Sequence, residues 1–444
     1  MKISKNLKQL SRLISPLYIV GGAVRDDLLG YSVHDIDLTS TQKACDVIEL
    51  LKNTPFSVKA NSLKFGTLSI SIADEKFEFT TMREDSYPLD GSHKPLEVKY
   101  TNDIYLDAKR RDFTVNALYY DIENAQVLDP LGGLTDLENR VIKTTREAKE
   151  VFAEDALRIL RMIRIACENS FSIHNETLKQ AKNLSHTITA LAKERIQDEF
   201  LKVLSADKKN GINDAHYKGL KLLTEVGATK YIIPDLLDCQ DFPQNSAYHR
   251  FNVFEHILHT ILYAEEEVRL AALFHDIAKP YCQKKYGKMA HHDKYSAQIA
   301  LQTLSDLKFK KSTIKETERL VYSHMFDLRG EAKASTVRRF IQKNYDIIDK
   351  IIALKIADGK ASKASDVTPI SVIRLKQELA YMKQNDIPFT IRDLKVNGLD
   401  ALNIGLCDKQ IGEAFKRLLY TCASDFTLLT RENQLRFLAQ FAKK

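Results

Sequence analysis

Two aspartates one residue apart, Asp35 and Asp37 in DIDLTS (35–40), are the residues with the clearest chemistry in this sequence. Side chains alternate along an extended chain, so the pair shares one face and Ile36 turns to the other, toward a core. Neighbouring carboxylates repel unless a cation lies between them. Hard divalent ions accept such oxygens, and Mg²⁺ usually adds substrate phosphates. The plain alternative is an exposed strand with two solvated aspartates. Just upstream, LYIV (17–20) runs into Gly21-Gly22 and then AVRDDLL. Glycine permits a tight turn, and amides at a helix start can face phosphate oxygens. Glu78, in KFEFTTMR, supplies either a third metal-side carboxylate or an ordinary surface glutamate. Two ions held by three carboxylates suit in-line attack of a hydroxyl on an α-phosphate.

The elements that must position these groups read as follows. LYIV, DIDLTS, FGTLSISI (65–72), KFEFTTM (76–82) and EVKYT (97–101) have strand character, and 41–53 reads as a helix between them. Pro130 and Pro234 bound a proline-free stretch whose apolar residues recur at three and four, as in ALRILRMIRIA (156–166), which predicts successive helices. A second helical block runs from about 245 to 365, and the segment from about 389 is also helical. The 444 residues suffice for two to four domains, and 44% hydrophobic content supports a large core. The net charge of +7 permits a polyanionic partner without demanding one. Six scattered cysteines without a C-x-x-C pair predict free thiols in a reducing compartment. No apolar run is long enough for a membrane helix and the N-terminus lacks a signal-type apolar core, so the expected location is cytoplasmic.

Gly-Gly-x-Val-Arg-Asp, Leu-Leu-Gly and Asp-x-Asp, in that order, resemble the catalytic motif of polymerase-beta-type nucleotidyltransferases. More narrowly, they resemble the bacterial and eukaryotic (class II) tRNA nucleotidyltransferases, the CCA-adding enzymes, and their poly(A) polymerase relatives. RRDFTVNAL (110–118), LDPLGGLTDL (128–137), EDALRILR (154–161), KERIQDEFLKVL (193–204) and DLKVNGLDALNIG (393–405) continue the resemblance through most of the chain. It implies that Asp35 and Asp37 hold two catalytic Mg²⁺ ions, beside which Glu78 is counted as a catalytic carboxylate, and that Gly21, Gly22 and Arg25 contact the triphosphate. It places Arg111, Asp112 and Asn116 near the ribose. It also assigns nucleobase reading to Asp155 and Arg158, with Glu154 supporting and Arg161 assisting.

On a continuous helix, Asp155 and Arg158 would share a face, which is either an internal salt bridge or a base reader. Cytosine and adenine both pair an exocyclic amino donor with a ring-nitrogen acceptor. A carboxylate beside a guanidinium matches that pattern and mismatches uracil and guanine. The family's flexible loop corresponds to REDSYPLDGSHKP (83–95), where Arg83 and Asp90 are retained but a later arginine is replaced by Ser92. The loop argues for more than CC addition. Residues 41–64 lack the basic, aromatic-rich segment usual in poly(A) polymerases.

The second helical block orders His256, His275-Asp276 and Asp358 as H…HD…D, with His292 and His324 as further ligands in view. This resembles the HD hydrolase superfamily and implies a divalent transition metal, with phosphohydrolase chemistry as the alternative function of another class. The expected architecture is an α/β nucleotidyltransferase head with a mixed sheet (1–140), a helical neck and body for nucleobase reading and RNA binding (141–235), an HD-type helical domain (236–370) and a helical tail (371–444). The expected activity is addition of CMP, CMP and AMP from CTP and ATP to the tRNA acceptor end. Partial CC- or A-adding activity is the alternative, with poly(A) polymerase the weaker one.

Overall fold

The computed structural model describes residues 1–33, 35–88, 95–244, 250–363 and 367–442. Two compact units, Met1–Pro234 and Asp235–Lys444, divide the chain.

The first unit is built on a seven-stranded sheet. Its strands, in chain order, are β1 (Tyr18–Val20), β2 (Ile36–Ser40), β3 (Ser57–Ser62), β4 (Thr67–Ile72) and β5 (Glu75–Thr81). A separate hairpin, β6 (Arg83–Ser86) and β7 (Glu97–Tyr100), precedes β8 (Tyr119–Asp121) and β9 (Gln126–Leu128). The order across the sheet is β3-β4-β5-β2-β1-β8-β9. Among the described residues of this sheet only β2 and β5 pair in parallel, so the sheet is mixed, as expected. Alternation sorts the faces. Leu38 on β2 and Phe77 and Phe79 on β5 are buried, whereas Asp37 and Glu78 are exposed. Because Asp37 is in register with Glu78 on the parallel neighbour, both carboxylates leave the sheet on one side.

The rest of this unit is mostly helical. Gly133 opens the helix Gly133–Glu138 where a Cβ would fall on the Thr114 carbonyl, so only glycine lets that helix seat. The helices Ala148–Glu154 and Leu157–Asn169 are not continuous. Asp155 between them is extended (φ −147°, ψ 105°), and its carboxylate accepts from the Leu157 amide at 3.0 Å. The expected single helix through EDALRILR is therefore two, because a short acid's bond to nearby backbone competes with helix continuation.

The second unit is helical in its described residues. Five elements bear on chemistry: Val253–Tyr263, Arg269–Phe274, His292–Asp306, Lys311–Ser323 and Ile348–Lys363. Its C-terminal part closes around a core of its own, with Ala401, Ala414, Leu418, Cys422 and Leu438 fully buried. None of the described helices is long and apolar enough to cross a membrane.

Candidate active site

A cleft of about 620 Å³ in the first unit collects most of the residues singled out from the sequence. Its floor is the β1-to-helix turn. Gly21 has φ +81°, a conformation that favours glycine, and caps the helix Gly22–Leu28. A Cβ there would lie 3.8 Å from the Asp37 carboxylate and 4.0 Å from the Arg111 guanidinium, so bare backbone, carboxylate and guanidinium meet at one point. Asp35 and Asp37 both line the cleft. Crowding by surrounding protein raises the Asp37 carboxyl. Arg111 and Arg161 pull it down, while Glu78 and Asp35 push it up. A carboxylate raised by neighbouring acids is stabilised by a cation placed between them, which relieves the repulsion.

Seven arginines and two lysines line the same cleft against six acids, giving it the charge of a polyphosphate site. These arginines are braced from behind. Arg25 donates to Asp26 at 2.8 and 2.6 Å and to the Asn116 carbonyl at 2.6 Å. Arg111 donates to Asp107 and to the Tyr119 hydroxyl, each at 3.0 Å, and that hydroxyl donates to Asp107 at 2.6 Å. Burial works against the Asp107 charge, but Arg110 and Arg111 outweigh it and hold the carboxyl far below its usual range. Asp112 accepts from Arg161, from the Asn116 amide and from the Phe113 backbone, which occupies all four of its lone-pair positions. Burial opposes that charge too, yet Arg161 and Asn116 bring it down to about 2.

Asp155 and Arg158 line the cleft without pairing with each other. Arg158 donates to Glu154 at 2.9 Å, to the Val151 carbonyl at 3.1 Å and to the Arg110 carbonyl at 2.8 Å, three of its five N–H groups. Glu154 is shared with Arg146 at 2.7 Å. Asp155 is held instead by Arg195, 40 residues on, at 3.0 and 3.4 Å. Arg195 lay inside a motif quoted from the sequence, but nothing local marked it as the partner of Asp155. Tyr87 was likewise missed. It lines the cleft with its ring 5.7 Å from the Arg158 guanidinium, and burial with the nearby Asp85 pushes its hydroxyl up to about 12. Arg83 faces Asp85 (2.9 Å) and the Phe65 carbonyl and does not line the cleft. Asp90 lies outside the described residues.

The second unit gathers the histidines. His256, His275, Asp276, His292 and His324 are buried, and Asp358 joins them through one oxygen. His256 Nε2 lies 3.3 Å from Asp276, 3.1 Å from Asp358 and 3.1 Å from His275 Nε2. Burial disfavours a charged His256, but the two carboxylates outweigh it and raise the ring to about 9. A divalent cation would take the place of that proton. Imidazoles and carboxylates converging at these distances fit such an ion.

A mixed sheet carrying paired aspartates beside a glycine turn, on a helical body, is the arrangement expected of a polymerase-type head domain. Residues 17–143 match the poly A polymerase head domain family, 170–239 the probable RNA and SrmB-binding site of polymerase A, and 248–361 the HD domain family. In this order the three matched families lie along the chain as a polymerase head, an RNA-binding segment and an HD domain. The CCA-adding enzyme of Lactococcus lactis subsp. lactis (strain IL1403) is 37% identical over 225 residues, 50% of this chain and 53% of that protein. The matched stretch thus spans about half the length of this relative. The CCA-adding enzyme of Streptococcus thermophilus (strain CNRZ 1066) is 28% identical over 85% of this chain and 87% of its own. Among solved structures, the Bacillus stearothermophilus CCA-adding enzyme in complex with CTP is similar with a TM-score of 0.69 and 20% identity, over 98% of this chain and 95% of that one. The Thermotoga maritima CCA-adding enzyme complexed with tRNA_CCA is similar with a TM-score of 0.60 and 19% identity, over 99% and 96%. At these identities the structural likeness speaks for the fold.

Proposed function

We propose that this chain adds CMP, CMP and AMP from CTP and ATP to the 3′ end of tRNA, releasing pyrophosphate. The observation that carries the reading is the meeting of Asp35 and Asp37 with the Gly21-Gly22 helix start and the Asp155/Arg158 pair in one cleft. The amides after Gly21 and the guanidinium groups of Arg25 and Arg111 bind and orient the triphosphate. Asp35 and Asp37, with Glu78 beside them, would hold two Mg²⁺ ions, which when bound supply charge stabilisation at the α-phosphate and at the leaving oxygen. The terminal tRNA hydroxyl attacks the α-phosphorus. The new bond joins the 3′ oxygen to phosphorus as the hydroxyl proton is lost to solvent, the bond to the β-phosphate bridge breaks, and pyrophosphate leaves with that electron pair. Asp155 accepts the exocyclic amino proton of cytosine or adenine, and Arg158 donates to the ring nitrogen, so UTP and GTP are refused without a template. Asp112 steers Arg161 and reaches the ribose only by releasing one of its present partners. The four-part division into head, neck and body, HD domain and tail is part of the same reading. The six free thiols support a reducing compartment such as the cytoplasm.

The test is incubation with tRNAs ending before C, CC and A and with each nucleotide separately. Full CCA addition predicts incorporation of C, C and A in order, followed by arrest. Stopping after CC, accepting only A, or forming a long A tail would replace the reading by the CC-adding, A-adding or poly(A) alternative.

A second reading concerns the second unit. The converging His256, His275, Asp276 and Asp358 favour a divalent transition metal and HD-type phosphoester hydrolysis. Purification without chelator that leaves the full chain free of such metal would overturn it.

A further inference from the structure

Two helices of the second unit, Lys279–Tyr286 and His292–Asp306, are joined by a short turn that leaves the first through Gly287 (φ +67°). The first helix buries Lys279, Pro280 and Cys282 and gives its other side chains to solvent. Two of those are tyrosines, Tyr281 at 42% and Tyr286 at 44% exposure. Single exposed aromatics are ordinary, but these are gathered. Tyr295 of the next helix lies 5.2 Å from Tyr281 and 5.8 Å from Tyr286, ring centre to ring centre. Lys285 stands among all three, its ammonium 5.2, 5.3 and 5.7 Å from the ring centres of Tyr281, Tyr286 and Tyr295. It donates to the Tyr281 hydroxyl at 2.8 Å, and the Tyr286 and Tyr295 hydroxyls are hydrogen-bonded to each other. These contacts orient the rings before any partner arrives, so little side-chain entropy is lost on binding.

The charge around the rings has one sign. From Tyr281 to Tyr295 the sequence holds four lysines, Lys284, Lys285, Lys288 and Lys294, against the single acid Asp293. All four lysines are exposed, and among the described residues no carboxylate forms an ion pair with any of them. Such a surface attracts a polyanion. The rings narrow the choice. An acidic protein would satisfy the lysines and leave the oriented rings without a role. Duplex RNA would do the same, because its bases are stacked inward. Single-stranded RNA carries a phosphate on every residue and a base free to stack on an aromatic face.

We infer that this face is a docking surface for single-stranded RNA, in which Lys284, Lys288 and Lys294 meet phosphates and bases stack on Tyr281 and Tyr286. Lys285 holds the rings in place. The inference goes beyond the proposed nucleotide addition and takes from it only that RNA is the partner. The surface lies outside residues 170–239, where the RNA-binding family matches, and uses neither the histidine cluster nor an ion there.

The probe is an oligouridylate carrying fluorescein and one 4-thiouridine, used with the full chain. Irradiation should cross-link it to the peptide bearing Tyr281 and Tyr286. Anisotropy across a salt series should show Tyr281→Ala/Tyr286→Ala binding about tenfold more weakly with an unchanged salt slope. Tyr281→Phe/Tyr286→Phe keeps the rings and should stay within about threefold of wild type. Lys284→Ala/Lys288→Ala/Lys294→Ala should reduce the slope of log affinity against log salt by about 2, at roughly 0.7 per phosphate contact. Circular dichroism verifies folding. Extension of saturating tRNA, measured alongside, should keep the wild-type rate in every variant, so that this inference and the proposed function fail separately. Cross-links confined to other peptides, or an alanine pair that binds as tightly as wild type, would overturn the inference. Equal binding of a double-stranded RNA of the same length would do so too. Phosphatidylserine vesicles that depend on these lysines and tyrosines, when the oligonucleotide does not, would assign the surface to a membrane and overturn it.

Discussion

The two candidate centres solve opposite electrostatic problems. In the head cleft the carboxylates expected to hold metal are exposed at a strand end, while arginines around them are each held by an acid placed behind: Arg25 by Asp26, Arg111 by Asp107, Arg161 by Asp112, Arg158 by Glu154. In the second unit the candidate ligands are buried apart from the partly buried Asp358, and backbone carbonyls orient His275, His292 and His324. The head cleft is lined mainly by positive charge, which under the proposed function seats an anionic substrate that brings its cations. The histidine cluster is a preassembled set of buried donors. A site that must release its product each cycle gains from exposed acids, whereas a resident ion calls for buried ones.

The comparison makes the bracing network breakable. Arg164 sits between two buried acids, Glu199 at 2.7 Å and Glu168 at 3.0 Å. Arg164→Ala should cost about 3 kcal/mol of stability, because both carboxylates lose their main partner in a buried place. Denaturant unfolding measures this, and a loss under about 1 kcal/mol would mean the network is not holding the cleft wall. Arg195 braces one acid rather than the wall. Arg195→Ala should lower kcat/KM for CTP and ATP about tenfold and increase misincorporation of UTP, about 1.4 kcal/mol of lost positioning. Arg195→Lys should recover part of it, and unchanged discrimination in the alanine variant would separate Asp155 from base reading.

A subtler effect is expected from pH. Asp37 is raised from its ordinary value, so the form that holds a cation appears only as pH climbs through that raised value, and activity should rise along the same limb. Glu78 is one of the charges that raise it. If Glu78 is only a neighbour, Glu78→Gln shifts the acidic limb of the pH–rate profile to lower pH with the plateau kept. If Glu78 is a ligand, the plateau itself collapses. Smallest of all, Arg417 and Glu413 form an exposed pair at 2.6 Å on one helix. Arg417→Ala should change stability by less than about 0.5 kcal/mol, which sets the floor against which the buried braces are judged.

Local patterns made much of the head legible. Alternation in β2 and β5 marked Asp37 and Glu78 as residues opposite the apolar side of each strand, though their shared register came only with the sheet, and the glycine pair after an apolar run gave the turn. β3, β8 and β9 went unread. Two of them are three residues long, too short for alternation to register, and β3 is polar. The break at Asp155 was hidden for another reason. Periodicity continues through the motif, while the deciding event is one side-chain bond to the Leu157 amide. The partners Asp155–Arg195, Arg161–Asp112 and Arg164–Glu199 are 35 to 49 residues apart, and single-sequence reading carries no signal for such distances. The histidines were legible as an order of types, but their convergence on Asp276 is a matter of three-dimensional placement.

The central claim is that the exposed acids beside Gly21 drive metal-assisted nucleotide transfer. The most direct measurement follows labelled CTP and ATP onto tRNA lacking its 3′ end, with the wild-type chain and with Asp35→Ala/Asp37→Ala. The wild type should extend the tRNA by C, C and A. The variant should lose at least about 10³-fold in rate with no fall in Tm, since both acids are exposed. A variant that still extends tRNA at a rate near wild type would contradict the account.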